Sequence, residues 1–323
     1  MRRVRYYEHG GPDVLAVEQA DIPEPGAGQV LIRTEAIGIN WVDVQMRRET
    51  SPDSIYFRAL PAALTGDVVG TVEAVGPDAD PALAGTRVAA LLEDACADYA
   101  VAGADWLVPV PAGLDAAAAS MLPMVGPVAL GTLRAGRVAP GETVLVTSGA
   151  GTIGHLAVQL ARRRGAGTVI ATAGPAKLAF LKELGADAAV DHTQPDWAGQ
   201  VRAAAPGGVD VALEGVGGDM LPQVIELLAP HGRAVAFGGS SGGLGDVPVL
   251  SLVMLKSVTG FSLLAARAAE PDQVRSDIAE VTGLFEAGRL RAAAQTRLPL
   301  AEAVQAHRLL EDRAVLGRIL LVP

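Results

Sequence analysis

Residues 142–177, ETVLVTSGAGTIGHLAVQLARRRGAGTVIATAGPAK, decide the fold. The stretch opens on a β-rich apolar run, Thr143-Val144-Leu145-Val146-Thr147, and passes into Gly149-Ala150-Gly151-Thr152-Ile153-Gly154, a G-x-G-x-x-G. Apolar residues then fall at Ile153, Leu156, Ala157, Leu160 and Ala161, the spacing of one helix face. Gly165 and Gly167 end that helix, and a second β-rich run follows, Thr168-Val169-Ile170-Ala171-Thr172. Strand, glycine turn, helix and strand make a dinucleotide-binding βαβ unit. One glycine lets the chain turn sharply, one lets backbone approach a pyrophosphate, and one lets helix pack on strand. The N–H groups at the helix start then face the anion. Glycine is 38 of 323 residues, so the spacing alone is weak, and the flanking strand–helix–strand pattern is what gives it meaning.

The end of the second strand bears on which dinucleotide binds. NAD sites place an acid roughly 20 residues on, bonded to the ribose 2′-hydroxyl. Here the first acid after Gly165 is Glu183; before it come Thr172, the Ala173-Gly174-Pro175 turn and Lys177. A hydroxyl and a lysine suit a 2′-phosphate, so NADPH is the expected cofactor. Lys177 also reads as a solvated lysine on the next helix.

Outward from this unit, the chain is long enough for two domains. Residues 1 to about 120 read as mostly β with turns, with strands at 30–34, 68–75, 98–101 and 106–110 and an alanine-rich helix at 115–121. From 122 to 262 strand and helix alternate, with further strands at 209–213 and 233–237, which means a doubly wound parallel sheet. Helices at 273–287 and 300–311 and a last strand at 318–322 complete the chain.

Composition narrows the function. A net charge of −10 argues against nucleic acid as a main partner. The single cysteine, Cys96, forbids an internal disulfide and fits a reducing cytoplasm. The opening MRRVRYYEHGG has no apolar signal-peptide core, and the long uncharged stretches carry too many Gly and Pro for a membrane span.

Several segments carry a family likeness: Ala36-Ile37-Gly38-Ile39-Asn40-Trp41-Val42-Asp43, Thr65-Gly66-Asp67-Val68-Val69-Gly70, Gly85-Thr86-Arg87-Val88, Pro140-Gly141-Glu142-Thr143, and Glu183-Leu184-Gly185-Ala186-Asp187. With them the chain resembles, over nearly its whole length, the medium-chain dehydrogenase/reductases, and among these the zinc-independent quinone oxidoreductases of the zeta-crystallin type. The resemblance implies an α/β fold in which a doubly wound Rossmann sheet, residues 122–262, is inserted into a β-rich GroES-like catalytic domain, residues 1–121 and 263–323. It implies a homodimer, paired through the strand near residues 258–263. Zinc relatives need Cys where this chain has Asn40 and His where it has Gly66, and a structural zinc lobe needs four cysteines; no metal is expected. Without a Lewis acid the fitting acceptors are electron-poor, quinones or α,β-unsaturated carbonyls.

The resemblance also assigns residues. Asn40 lies near the nicotinamide ribose and the substrate. Phe237, Gly238, Gly239 and Ser240 lie beside the nicotinamide, and the backbone around Val216 lines the groove. Val128, Phe261 and Leu263 read as touching the nicotinamide side or as plain core. His192 stands where relatives often carry a tyrosine near the adenosine phosphate and reads equally as a loop histidine. Arg318 reads as a 2′-phosphate contact or a surface cation. Tyr56 borders the substrate cleft or merely packs. No general acid stands out, which leaves solvent to supply the proton. Alternatives to a quinone or enone reductase are an enoyl-thioester or biosynthetic tailoring reductase, and an NADPH-binding protein without catalysis.

Overall fold

The computed structural model describes residues 1–293 and 296–323. The chain divides into two compact units, residues 1–124 with 282–323, and residues 125–281.

The first unit begins with a hairpin of β1 (Arg2–Tyr6) and β2 (Leu15–Gln19). It continues through β3 (Gln29–Gly38), α1 (Val42–Arg48), β4 (Gly66–Val75), β5 (Arg87–Leu92), β6 (Tyr99–Gly103), β7 (Val108–Pro109) and α2 (Ala116–Ala119). The strand expected over 106–110 is reduced to β7, because Ala104–Trp106 closes a 3-10 turn just before it. The helix α1 lies in a stretch read as β and turns; its sequence VDVQMRR shows no clean apolar stripe and its N-cap, Trp41, offers no side-chain cap.

The second unit runs through α3 (Val125–Ala135), β8 (Thr143–Val146), α4 (Gly154–Arg163), β9 (Thr168–Ala173), α5 (Leu178–Glu183), β10 (Ala188–Asp191), α6 (Trp197–Ala204) and β11 (Val209–Glu214). It closes with α7 (Met220–Leu227), β12 (Leu228–Ala236), α8 (Val249–Leu252), β13 (Ser257–Gly260), α9 (Leu263–Ala269) and α10 (Pro271–Glu286), whose last turn belongs to the first unit. The chain returns to the first unit with β14 (Thr296–Pro299), α11 (Ala303–Glu311) and β15 (Ile319–Val322).

Six strands of the second unit form a parallel sheet in the order β10-β9-β8-β11-β12-β13. The chain leaves β8 toward one edge and returns beside it as β11, so the order reverses there, which is where doubly wound sheets bind ligands. Helices cover both faces, and β8 and β9 are accordingly near-continuous apolar runs. Leu145, Ile170, Val201, Ala212, Val224 and Ala234 are fully buried in this core. The first unit has its own seven-stranded sheet, β14-β15-β3-β4-β5-β7 with β6 against β3, around Val4, Ile32, Ile37, Val68 and Leu321.

The second crossing between units falls after Val281, not after 262. The helices following β13 explain the shift. A Cβ on Gly126 of α3 would lie 2.6 Å from Val281 Cγ1, and Arg134 of α3 is paired at 2.6 Å with the buried Asp277 of α10. Residues 263–281 therefore pack on α3 as part of the nucleotide unit.

Candidate functional site: a glycine turn and a buried polar cluster

In the second unit the G-x-G-x-x-G sits between β8 and α4 as the sequence predicts, and Leu156, Ala157, Leu160 and Ala161 are buried. Gly154 starts α4 directly against the turn, and a Cβ there would overlap the carbonyl of Ser148. Gly149 lies against β9, where a Cβ would come within 2.9 Å of Ala171 Cβ. A Cβ at Gly151 would meet nothing nearer than Ser148 O at 3.2 Å. Packing thus demands glycine at 149 and 154, while the bare Gly151 leaves room for a ligand to approach the backbone. Ser148 turns the corner at φ 52°, a left-handed conformation uncommon outside glycine. The N–H of Gly149 donates to Thr172 O at 2.8 Å, tying the turn to the end of β9. Val128, by contrast, is a buried residue of α3.

The ends of β9 and β10 come together. His192 N donates to Ala173 O at 3.3 Å, and Lys177 closes the 3-10 turn that follows β9. Asp191 faces its own turn and accepts from Thr193 N, Thr193 Oγ1 and Gln194 Nε2, and these bonds hold its carboxyl below the usual range. One expectation is corrected here. Thr172 is fully buried and its hydroxyl reaches no surface, so its part in the strand end is the carbonyl that holds Gly149.

Beyond β11 and β12 the loops are satisfied by one another. Ser240 N donates to Gly215 O, Ser241 N to Val216 O and Gly218 N to Gly243 O, at 2.8–3.2 Å. The Phe237 ring covers Gly215, and residues 238–240 continue over this turn. Beneath lies a carboxylate that pattern reading missed. Glu214 is fully buried and accepts from Val216 N at 2.8 Å, from Gly217 N at 2.9 Å and from Thr147 Oγ1 at 3.3 Å. Burial raises its pKa, and the backbone N–H groups act against that rise. Its signal in the sequence was an acid following three apolar residues, Val211-Ala212-Leu213, at the end of a strand.

Phe261 and Leu263 do not extend a strand. β13 ends at Gly260, Ser262 caps α9 through Ala265 N, and Leu263 is the first residue of that helix. The tip of the Phe261 ring lies against Gly131 of α3, where a Cβ would overlap it. Leu263 is buried and Phe261 half-buried.

The first unit holds the second polar group. Arg318, just before β15, is fully buried and pairs with the equally buried Asp67 of β4. Its Nη1 donates to Ser120 O, and its Nη2 donates to Gly38 O at 2.9 Å, to Asn40 Oδ1 at 2.8 Å and to Asp67. Asn40 Nδ2 in turn donates to Asp67 Oδ2 at 3.3 Å. The reading of Arg318 as a phosphate contact or a surface cation is therefore corrected: its guanidinium is committed inside the first unit. A Cβ on Gly38 would overlap that guanidinium, which is why β3 ends in glycine. Beside the cluster, Asp43 accepts from Thr65 N at 2.7 Å and Thr65 Oγ1 at 3.1 Å, and burial pushes its pKa up to about 7. Tyr56 is half-buried in the loop after α1, its N–H on Ser54 Oγ at 3.2 Å. Among the described residues no group of three or more His, Cys, Asp or Glu could hold a metal ion.

Comparison with known proteins agrees with both units. Residues 26–112 match the alcohol dehydrogenase GroES-like domain, and residues 152–282 match the zinc-binding dehydrogenase family. The chain is 30% identical to a quinone oxidoreductase of Pseudomonas aeruginosa, over 100% of this chain and 99% of that one. It is 30% identical to a 2-haloacrylate reductase of a Burkholderia species, over 98% and 97% of the two chains. The solved structure of Escherichia coli quinone oxidoreductase complexed with NADPH superposes with a TM-score of 0.90 at 27% identity, over the full length of both.

Proposed function

The chain belongs to the medium-chain dehydrogenase/reductase superfamily, with the zinc-independent quinone oxidoreductases, and on that premise we propose that it is an NADPH-dependent reductase of quinones and activated α,β-unsaturated carbonyls. That it is an oxidoreductase using a nicotinamide cofactor follows from the family. The finer reading rests on the ends of β9 and β10, where Lys177 and His192 stand and the nearby carboxylate, Asp191, is engaged by its own turn. A 2′-phosphate is welcome there, and the acid that would bond a 2′-hydroxyl is missing.

NADPH supplies the hydride when bound. The 149–154 turn takes the pyrophosphate on backbone N–H groups at the start of α4. Glu214 and Thr147 keep the Val216 turn in shape below the nicotinamide groove. Asn40 donates to the acceptor or the ribose. No side chain in either polar group offers an exposed acid, so solvent delivers the proton that completes reduction, and positioning supplies most of the rate. Electron-poor acceptors suit such a site. The reported relatives act, by name, on a quinone and on a haloacrylate, an activated alkene.

The functional unit is a homodimer paired along β13, one of the two edge strands of the parallel sheet. Beside it Val249, Leu250, Val253 and Met254 are 68–82% exposed, more apolar surface than a lone chain would leave in water.

The test is NADPH oxidation against a benzoquinone, a naphthoquinone, a simple enone and an enoyl thioester, each with and without chelator and with NADH in parallel. Chelator-insensitive turnover of a quinone or enone, faster with NADPH, is expected. Turnover of the thioester alone would move the assignment to an enoyl-thioester reductase, and NADPH binding without any turnover would overturn catalysis.

A further inference from the structure

An asparagine amide can sit in its site in two senses, related by a half-turn that exchanges oxygen and nitrogen. At Asn40 the neighbours choose one. Arg318 Nη2 can only donate, so the Asn40 oxygen must face it, as it does at 2.8 Å. Asp67, ionised beside Arg318, can only accept, so the Asn40 nitrogen must face it, as it does at 3.3 Å. Both partners are fully buried. One hydrogen of the Asn40 amide is engaged by Asp67; the other has no partner among the described residues.

The geometry points to Arg318 and Asp67 as positioning residues that lock the Asn40 amide with its oxygen inward, so that Asn40 meets its ligand as an N–H donor. The ligand atom is then an oxygen that accepts, and best one that gains negative charge. The carbonyl oxygen of a quinone or enone is such an atom. As hydride adds to the acceptor's electron-poor carbon, the displaced π pair moves onto that oxygen, and a solvent proton later neutralises the product. A fixed N–H aimed at this oxygen strengthens as the charge develops. Unlocked, the amide would spend time with its own oxygen toward the ligand, where it repels. This inference rests on the reductase reading for the identity of the oxygen, but the lock itself does not.

The experiment has two arms on the full chain with NADPH. In the first, the Asn40 side-chain N–H pair is followed in a 1H–15N spectrum, assigned by its loss in Asn40→Ser. Slow hydrogen exchange in the parent protein, accelerated about tenfold or more in Arg318→Lys, is expected. Exchange in the parent as fast as for a solvated asparagine, or unchanged in Arg318→Lys, overturns the lock. If Arg318→Lys does not fold, Gly38→Ala serves for it, because its methyl displaces the guanidinium while leaving both charges in place. The second arm is a double-mutant cycle in kcat on an accepted quinone or enone, with NADPH affinity measured separately. Asn40→Ser should lower kcat by about 10²-fold, Arg318→Lys by about tenfold, and the pair no further than Asn40→Ser alone. A full tenfold loss from Arg318→Lys in the Asn40→Ser background would make Arg318 merely structural. A parent protein that turns over no acceptor refutes the reductase reading, and the first arm still decides the lock.

Discussion

The two units build their polar groups from different materials. In the nucleotide unit the candidate anion site is backbone: six consecutive residues, 149–154, with glycines set by close approach to Ser148 O and Ala171. In the first unit the polar cluster is side chain, and its members come from β3, β4, the loop between β3 and α1, and the entry to β15. The bond from Arg318 to Asp67 joins residues 251 apart. A backbone site tolerates almost no added atoms but is indifferent to charge. A side-chain cluster tolerates shape changes and depends on every charge having its partner. Substitution should separate the two.

The largest expected effect is on the backbone site. Gly154→Val places a branched side chain where even a Cβ overlaps the Ser148 carbonyl, and neither backbone segment can yield without moving α4 from β8. NADPH affinity should fall by about 10³-fold, the scale expected when the turn and the helix start lose register. Fluorescence titration with NADPH measures it. Retained affinity would mean the turn is deformable and the contrast between the units is wrong.

Next comes the side-chain cluster. Asp67→Ala leaves the Arg318 guanidinium buried without its counter-charge, a change that costs about 3–5 kcal/mol. Thermal melting should show a drop of about 4–7 °C at this size. Asp67→Asn keeps an acceptor for Arg318 and should recover part of the loss. Equal losses from Ala and Asn would place the stabilisation in the charge alone.

This difference in material also decides what could be read from the residues. The βαβ unit was legible because its signals are local: period-3.6 apolar spacing from Leu156 to Ala161, strands on both sides, glycines between. That the sheet is parallel followed from the alternation of elements. Arg318 was not legible. Placed at the start of a terminal strand it looks like a surface cation, and only Gly38, 280 residues away, reveals the channel that takes its side chain inside. Glu214 was hidden for a related reason, since the Thr147 hydroxyl that donates to it stands 67 residues away, just past the end of β8. The strand read over 258–263 failed at Gly260 because Ser262 is a helix cap, and its bond to Ala265 N competes with extended pairing. Local chemistry misled at one position and long-range packing at two.

A smaller effect tests cofactor choice at the edge of the backbone site. Lys177→Ala should raise KM for NADPH by about 10- to 100-fold, the value of one charge-assisted bond to phosphate, and leave KM for NADH nearly unchanged. Equal changes for both cofactors would remove Lys177 from the 2′-phosphate and leave His192 as the residue to examine there.

The smallest effect is a slope, and it concerns two buried groups of the first unit that titrate in opposite senses. Burial raises Asp43 from 3.8 to about 7, and burial, aided by the Arg47 charge, lowers His307 from 6.5 to about 3. Between pH 3.8 and 7 the folded chain keeps on Asp43 a proton that the unfolded chain has released. The stability from Asp43 is complete below 3.8 and is lost as pH rises through about 7, at about 1.4 kcal/mol per pH unit. For His307 the unfolded chain holds the extra proton between pH 3 and 6.5. Its contribution is complete above 6.5 and is lost as pH falls through about 3, at the same rate and with the opposite sign. Where the windows overlap the two slopes offset, and from these groups the parent protein should be nearly flat. Asp43→Asn keeps an acceptor for Thr65 N and gains a donor for Thr65 Oγ1, so the fold is preserved while the Asp43 slope disappears. Urea unfolding at pH 4, 5, 6 and 7 should then show stability falling by about 1.4 kcal/mol per unit as pH drops below about 7, relative to the parent. A profile parallel to the parent's would mean that Asp43 is already ionised in the fold. The first unit would then carry a second buried carboxylate beside Asp67, and its charges would be balanced by more than Arg318.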